Sequence, residues 1–256
     1  MDLLALPAFA DNYIWMLHDG AHAVVVDPGD AQPVIDALDR LHLQLAAILV
    51  THHHPDHVGG VDALRTRLQG PVYGPARESI PQPFTPLQEG DVVGVLGLRF
   101  RVIDVPGHTA GHIAYAQLDE PAAPLLFCGD TLFSAGCGRL FEGTPAQMLA
   151  SLEKLAALPA GTRVCCTHEY TLSNLKFAAA VEPANPQVQA HARHCESLRA
   201  ADLPTLPSTL ALELQINPFL RSREPAVVAA ARAQGAASAA PVDVLAAVRE
   251  WKNHFR

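Results

Sequence analysis

The segment 51–57 has the residue types and the spacing of a metal site. Its sequence, Thr-His-His-His-Pro-Asp-His, contains four histidines and one aspartate in seven residues. His52 and His54 are spaced to bind one ion. Asp56 and His57 are placed to bind a second ion a few ångströms away. Imidazoles buried at this density without partners would lower stability. The segment therefore predicts metal binding, with a histidine-rich surface loop as the alternative.

Three more metal-capable side chains follow short runs that have the pattern of β-strands. The runs and the polar residues behind them are 98–105 with His108, 124–128 with Asp130, and 163–167 with His168. The segment 51–57 likewise follows the apolar run 45–50. Because α/β proteins place functional residues at the carboxyl ends of strands, we expect these side chains to belong to one site. The repeated placement disfavours the surface-loop alternative.

The candidate ligands together suit two metal ions rather than one. They comprise five imidazoles and two carboxylates, namely His52, His54, Asp56, His57, His108, Asp130 and His168. One tetrahedral ion uses four ligands, whereas two ions about 3.5–4 Å apart that share a carboxylate use all of them. Such ions lower the pKa of bound water to roughly 7 and polarise a carbonyl or phosphoryl oxygen. The pattern predicts hydrolysis without a serine or cysteine nucleophile.

The ligand pattern resembles that of the metallo-β-lactamase superfamily. Further motifs resemble a narrower family within it, glyoxalase II, the hydroxyacylglutathione hydrolases. These motifs extend from the first residues to the final third of the chain, at 8–13, 26–29, 129–133, 136–139, 167–171, 174–178 and 217–221. The metal motif alone specifies only the superfamily, and the other motifs specify the family.

The resemblance implies a ligand assignment and a reaction. One ion would be bound by His52, His54 and His108. The other would be bound by Asp56, His57 and His168, with Asp130 as the bridge. A hydroxide between the ions would attack the thioester carbonyl of S-(2-hydroxyacyl)glutathione, releasing glutathione and a 2-hydroxy acid, usually D-lactate. This is the second step of methylglyoxal detoxification. Asp56 and Asp130 become the candidate catalytic residues, and zinc becomes the expected metal, with iron or manganese as alternatives.

The resemblance also implies a glutathione-binding surface, whose candidate residues are Arg139, Phe141, Tyr170, Arg249 and Lys252. The formal charge of the chain is −8, so local cations must attract the two carboxylates of glutathione. Arg249 and Lys252 share a face of a predicted helix, although the helix dipole also favours cations near a C-terminus. The family often has Lys where this chain has Arg139 and Tyr where it has Phe141. One hydroxyl contact is therefore expected to be missing.

The remaining histidines receive other predictions. We expect His53 to point away from the metals. His112 is interpreted either as a partner of a ligand or as an ordinary strand histidine. His191 and His194 are three residues apart on a predicted helix, and we interpret them as part of a solvated face.

The expected fold class is α/β. The resemblance implies a four-layer αββα metallo-β-lactamase sandwich over residues 1–168 and a small all-helical, glutathione-binding domain over residues 169–256. Hydrophobic periodicity predicts strands at 13–18, 22–27, 45–51, 98–105, 113–118, 125–128 and 163–167. It predicts helices at 31–41, 58–68, 145–158, 173–181, 186–200, 224–233 and 242–253. The alanine-rich segment 229–240 is expected to break into a surface loop.

Composition is consistent with a globular enzyme and excludes other classes. Charged residues make up 17% and hydrophobic residues 49% of the chain. An acidic chain is a poor candidate for binding nucleic acid. No signal peptide or membrane-spanning run is predicted. The odd count of five cysteines predicts free thiols in a reducing cytoplasm. A monomer is the default expectation.

Three other functions compete with thioester hydrolysis. An iron-dependent sulfur dioxygenase would use a similar scaffold with one ion, but that class typically lacks the helical extension that carries Arg249 and Lys252. A non-catalytic metal-binding protein is disfavoured because the ligand set is complete. β-Lactamase activity is disfavoured because Asp130 stands where those enzymes commonly use cysteine.

Overall fold

The computed structural model describes residues 1–119 and 123–255, and these residues form two compact units. The first unit comprises the described residues within 1–104, 110–119, 123–129 and 165–168. The second comprises residues 105–109, 130–164 and the described residues from 169 onward. The domain boundary expected after residue 168 stays a prediction.

The first sheet of the first unit has six strands in sequential order. They are β1 (Asp2–Ala8), β2 (Asn12–His18), β3 (His22–Val26), β4 (Gln44–Leu49), β5 (Val72–Pro75) and β6 (Thr85–Leu87). The pairs from β1 to β3 are antiparallel, and those from β3 to β6 are parallel. Helix α1 (Gln32–Leu41) makes the crossover between β3 and β4. Val26 is in register with Leu49, so the chain leaves both strands at the same edge of the sheet.

The second sheet contributes four antiparallel neighbours to this unit. They are β7 (Val92–Val95), β8 (Leu98–Asp104), β9 (Ile113–Gln117) and β10 (Leu125–Gly129). Leu96 and Gly97 join β7 to β8, and both have positive φ, of 52° and 75°. This two-residue turn matches the right-handed twist of the strands. The last two residues of β13 (Arg163–Cys166) also lie in this unit and adjoin β10.

The prediction of a single helix over residues 58–68 is wrong. The chain instead forms two one-turn helices, α2 (Pro55–Val58) and α3 (Val61–Leu64). Gly59 and Gly60 separate them and pack against the backbone that follows β3. A Cβ on Gly59 would lie 2.6 Å from the oxygen of Gly29, and one on Gly60 would lie 2.6 Å from that of Pro28. This contact between distant segments sets where α2 ends.

The second unit combines two small strand pairs with helices. Its hairpin comprises β11 (Leu132–Phe133) and β12 (Gly136–Cys137), and the first two residues of β13 pair with β14 (Ser208–Thr209). Its helices are α4 (Pro145–Ala156), α5 (Thr171–Val181), α6 (Pro186–Ala200), α7 (Leu210–Ile216), α8 (Pro225–Ala233) and α9 (Pro241–His254). Thr144 and Gln147 form a capping box at the start of α4. The predicted helices of this region are confirmed, and the predicted loop follows α8, whereas α7 was not predicted. No helix in the described part of the chain is long and apolar enough to cross a membrane.

Candidate metal centre

The predicted metal ligands are distributed over both units. Five of them lie in the first unit, namely His52, His54, Asp56, His57 and His168. His108 and Asp130 lie in the second. As expected from the sequence, each follows the end of a strand. Asp56 and His57, however, lie on the one-turn helix α2.

Asp56, His57 and His168 converge in the first unit. Their ligand atoms all lie within 4.8 Å of one another. Asp56 Oδ2 is 3.6 Å from His57 Nε2 and 3.5 Å from His168 Nε2. Two ligands each 2.0–2.1 Å from a tetrahedral ion lie about 3.3 Å apart. The three side chains therefore have a spacing that fits one metal ion.

A carboxylate oxygen lies beside the opposite ring nitrogen of each histidine. Asp11 Oδ1 is 2.8 Å from His168 Nδ1, and Asp27 Oδ2 is 3.0 Å from His57 Nδ1. A carboxylate at Nδ1 favours the tautomer that carries its proton there and leaves the Nε2 lone pair for a metal. Asn12 Nδ2 donates to Asp56 Oδ2 at 3.1 Å and fixes that carboxylate.

Sequence reasoning did not assign roles to Asp11, Asn12 and Asp27. All three lie in motifs at 8–13 and 26–29 that carried the family resemblance. The available signal was that polar residues follow or begin buried strands there, as the ligands do. The missing information was the pairing, because Asp11 contacts a residue 157 positions away in the chain.

Asp27 organises the start of the histidine segment. Its Oδ1 accepts from the Thr51 backbone N–H and its Oδ2 accepts from Thr51 Oγ1, both at 2.7 Å. The side chain is 3% exposed. Since Thr51 follows β4 and Asp27 follows β3, this carboxylate links the ends of two parallel strands to His57.

Replacing Asp27 by asparagine is expected to lower the free energy of unfolding by about 1–3 kcal/mol, because an amide N–H₂ would face buried donors. Metal affinity should fall by about tenfold to a hundredfold through His57. Asparagine tolerates the φ of 53° at this position, so the backbone is kept. Chemical denaturation and metal titration measure both effects. Asp62→Asn, which removes an exposed ion pair with Arg65, is the control. Equal losses in both variants would contradict the assigned role.

His52 and His54 form the other ligand pair of the first unit. His52 Nε2 is 3.0 Å from His54 Nδ1, close to the separation of two ligands of one ion. His52 Nδ1 lies 3.1 Å from Thr51 Oγ1. The ring of His112 stacks on His52 with centroids 4.5 Å apart, which favours its interpretation as a partner of a ligand. His53 instead contacts Glu78 Oε2 at 2.9 Å.

His108 and Asp130 form a third close pair in the second unit. His108 Nε2 lies 3.4 Å from Asp130 Oδ2. His108 Nδ1 lies 2.9 Å from the carbonyl oxygen of Arg139. Because a carbonyl oxygen can only accept a hydrogen bond, Nδ1 carries the proton and Nε2 is available as a ligand.

A cavity of about 500 Å³ in the second unit is lined by His108 and Asp130. The predicted glutathione contacts line the same cavity, namely Arg139, Phe141, Tyr170, Arg249 and Lys252. The structure thus brings these five residues together with two of the predicted metal ligands. Phe141 is 63% exposed and packs edge-on against the His108 ring, 5.3 Å between centroids.

The two cations of α9 have different surroundings. Arg249 is 6% exposed, and its Nη1 donates to the carbonyl oxygen of Cys137 at 2.8 Å. Its Nη2 donates to Asn253 Oδ1 at 3.2 Å. Lys252 is half-buried, and its Nζ donates to the carbonyl oxygen of Ser173 at 3.1 Å. Burial and the neighbouring cations, Arg249 first, lower the pKa of Lys252 to about 8.

The solvated helix face expected around His191 and His194 is only partly correct. His194 is exposed, whereas His191 is half-buried. His191 Nε2 lies 3.3 Å from the Sγ atom of Cys195. Burial lowers the pKa of His191. The pair therefore separates into one solvated and one packed side chain.

Two family models match adjacent parts of the chain. The model described as the metallo-beta-lactamase superfamily matches residues 9–168, and the model described as the hydroxyacylglutathione hydrolase C-terminus matches residues 169–255. The hydroxyacylglutathione hydrolase of Albidiferax ferrireducens is 63% identical over 255 residues, covering 100% of this chain and 100% of the relative.

Solved structures agree with the family models on the fold. ETHE1 from Myxococcus xanthus has a TM-score of 0.65 and 26% identity, covering 88% of this chain and 86% of that chain. A protein solved in a di-iron-bound form has a TM-score of 0.59 and 30% identity, covering 86% of this chain and 100% of that chain. These matches confirm the predicted α/β metallo-β-lactamase fold class with a helical C-terminal region. The chain belongs to the hydroxyacylglutathione hydrolase family of the metallo-β-lactamase superfamily.

Proposed function

We propose that this chain hydrolyses the thioester bond of S-(2-hydroxyacyl)glutathione to glutathione and a 2-hydroxy acid, with S-D-lactoylglutathione as the usual substrate. This reaction is the second step of methylglyoxal detoxification. Family membership makes the chain a metal-dependent thioester hydrolase. The observation that carries the proposal is the cavity of the second unit. There the metal-capable pair His108–Asp130 and the cations Arg249 and Lys252 line one volume.

The ligand chemistry fits divalent metal ions. Imidazole and carboxylate donors suit zinc, iron or manganese, and we propose two zinc ions. One would be held by His52, His54 and His108. The other would be held by Asp56, His57 and His168, with Asp130 shared. The related protein in a di-iron-bound form supports the count of two. Bound ions would supply a water of lowered pKa and polarise the thioester carbonyl.

The protein groups around the ligands have a defined task in this reaction. Asp11 and the Arg139 carbonyl hold the Nδ1 protons of His168 and His108, and the Asp27 carboxylate lies 3.0 Å from His57 Nδ1. Fixed tautomers would leave the Nε2 lone pairs available to metal ions before the substrate binds. Asp56 and Asp130 are the proposed catalytic carboxylates, because a carboxylate can orient the attacking water through its proton.

The cavity also contains cations that can attract the carboxylates of the substrate. The whole chain carries a formal charge of −8, so a glutathione carboxylate is attracted only by a local cluster of cations. Lys252 has Arg249, Arg139 and Lys176 as electrostatic neighbours. We propose that Lys252 and Arg249 receive the glycine carboxylate. The exposed Phe141 ring offers apolar contact and no hydroxyl group.

Thiol release from S-lactoylglutathione, measured together with the metal content of the purified protein, tests this function. We expect thiol release to depend on the metal and about two ions per chain when the protein is fully active. Full metal occupancy without thiol release would refute the thioesterase. Oxygen consumption with glutathione persulfide instead would identify the sulfur dioxygenase alternative. The cytoplasmic location and the monomeric state stay predictions.

A further inference from the structure

The turn of the β11–β12 hairpin in the second unit has a strained backbone. Ser134 and Ala135 form the turn between the strands, and Ala135 has a φ of 53°. A residue with a Cβ atom seldom adopts this left-handed conformation, and it persists where surrounding contacts impose it. Ala135 is fully buried, so solvent does not account for its conformation.

Three side chains hold this turn, and we call them the hairpin bracket: Asn174 of α5, Glu213 of α7 and Asn217, which caps α7. Glu213 Oε2 accepts from the Ala135 backbone N–H at 2.7 Å. Asn217 Nδ2 lies 3.0 Å from the carbonyl oxygen of Phe133 and 2.9 Å from that of Gly136. Asn174 Nδ2 donates to the carbonyl oxygen of Ser134 at 3.0 Å. A bracket side chain therefore holds each of the four residues 133–136.

Glu213 is a fully buried carboxylate with no place in the proposed reaction. Burial raises the pKa of Glu213, while hydrogen bonds from Ser208, Ala135 and Asn217 lower it. A buried carboxyl group costs stability unless its partners satisfy it. Its partners Ser208, Ala135 and Asn217 all lie in the second unit. Ala135 belongs to the turn, and Asn217 is a bracket residue that also holds the turn. Its contacts therefore serve the hairpin.

The hairpin and the residues directly after it place two carbonyl groups beside candidate site residues. The carbonyl oxygen of Cys137, the last residue of β12, accepts from Arg249 Nη1 at 2.8 Å. Two residues further on, the carbonyl oxygen of Arg139 lies 2.9 Å from His108 Nδ1. One short segment thus orients a candidate metal ligand and a candidate carboxylate-binding cation. A shift in its register would displace both.

We propose that Asn174, Glu213 and Asn217 are positioning residues of the hydrolytic site, which hold the β11–β12 hairpin in the register that orients His108 and Arg249. The inference rests on the proposed function for the identity of the substrate. It gives a role to Asn174 and Asn217, which begin the motifs at 174–178 and 217–221. Neither residue is a candidate metal ligand or a candidate glutathione contact. The competing interpretation is that the bracket only stabilises the packing of α5 and α7.

Glu213→Gln tests the positioning role, because the amide N–H₂ would replace one of two acceptor oxygens that face donors. We expect KM for S-lactoylglutathione to rise about tenfold or more at a temperature where the variant is folded. The affinity for zinc, measured by competition with a chelator, should fall by about tenfold to a hundredfold through His108. Thermal unfolding establishes the temperature for both measurements.

Glu182→Gln is the matched control. Glu182 is also a buried carboxylate of the second unit, 5% exposed, but it pairs with Arg221 and not with the hairpin. We expect this variant to lose stability and to keep both KM and zinc affinity. An equal rise in KM for the two variants, or an unchanged KM and zinc affinity in Glu213→Gln, would overturn the positioning role.

Two further variants test the positioning role independently of how well Glu213→Gln folds. If Glu213→Gln does not fold, Asn174→Ala removes one bracket contact and must still weaken zinc binding, or the proposal fails. Ala135→Gly relieves the strain of the turn and should recover part of the zinc affinity when combined with Glu213→Gln. A double variant no better than Glu213→Gln would count against the bracket. Zinc affinity needs no hydrolysis, so a wild-type protein without thioesterase activity would refute the proposed function separately.

Discussion

Replacing Asp56 by alanine is expected to lower kcat for thioester hydrolysis by about a hundredfold or more and to reduce the metal content of the protein. Its Oδ2 atom lies 3.5–3.6 Å from the Nε2 atoms of His57 and His168, so the variant removes the one carboxylate of that ligand group. A metal ion contributes several kcal/mol to stabilising the transition state, and each 1.36 kcal/mol corresponds to a tenfold change in rate. The Asp56 side chain is 39% exposed, so its loss leaves little cavity and folding should persist.

His53→Ala is the matched control for Asp56→Ala, because His53 belongs to the same segment but contacts Glu78. We expect wild-type kcat and wild-type metal content from it. Metal analysis and thiol release are measured on the same preparations, before and after treatment with a chelator and readdition of zinc. An Asp56→Ala variant with full activity, or a His53→Ala variant that loses its metal, would contradict the proposed ligand assignment.

The positions of the candidate metal ligands in the fold could be predicted because they depend on local patterns. Apolar runs such as 45–50 predict buried strands, and side chains such as His52 and His168 follow directly where those runs end. Strand ends of an α/β fold are the usual place of functional residues. The assignment of ligands to separate ions needed the family resemblance, because spacing alone does not fix it.

The partners of the ligands could not be predicted, because they join residues far apart in the chain. Asp11 meets His168, and the Arg139 carbonyl meets His108, 157 and 31 positions away respectively. The end of α2 depends in the same way on Gly59 packing against the backbone that follows β3. Local periodicity contains no information on such contacts, and it favoured one continuous helix over residues 58–68.

The resemblance supplied the candidate glutathione contacts but not their surroundings. It treated Arg249 and Lys252 as equivalent cations on one helix face. In the structure, Arg249 is nearly fully buried and donates to the Cys137 carbonyl, whereas Lys252 is half-buried and donates to the Ser173 carbonyl. Substitution of Arg249 would therefore disturb the hairpin as well as the proposed contact with the substrate. Lys252 is the cleaner position at which to test recognition of the substrate carboxylate.

Replacing Lys252 by alanine is expected to raise KM for S-lactoylglutathione by about tenfold to a hundredfold with little change in kcat. A hydrogen bond to a charged group contributes about 1.5–3 kcal/mol, and a contact made equally in the ground state and the transition state affects KM alone. The double variant with Arg249→Ala should raise KM further. Steady-state kinetics at pH 7 measure both. A fall in kcat with KM unchanged would place Lys252 outside the carboxylate site.

The pH dependence of KM provides an independent test at the same residue. The pKa of Lys252 is lowered to about 8, so the free enzyme carries this cation below pH 8 and loses it as the pH rises through that value. KM should therefore rise between about pH 7 and pH 9, and kcat/KM should fall over the same interval, since it reports groups of the free enzyme. Lys252→Arg keeps its charge throughout, because the guanidinium pKa lies above about 12. This variant should remove the rise in KM, and the same rise in Lys252→Arg would assign the titration to another group.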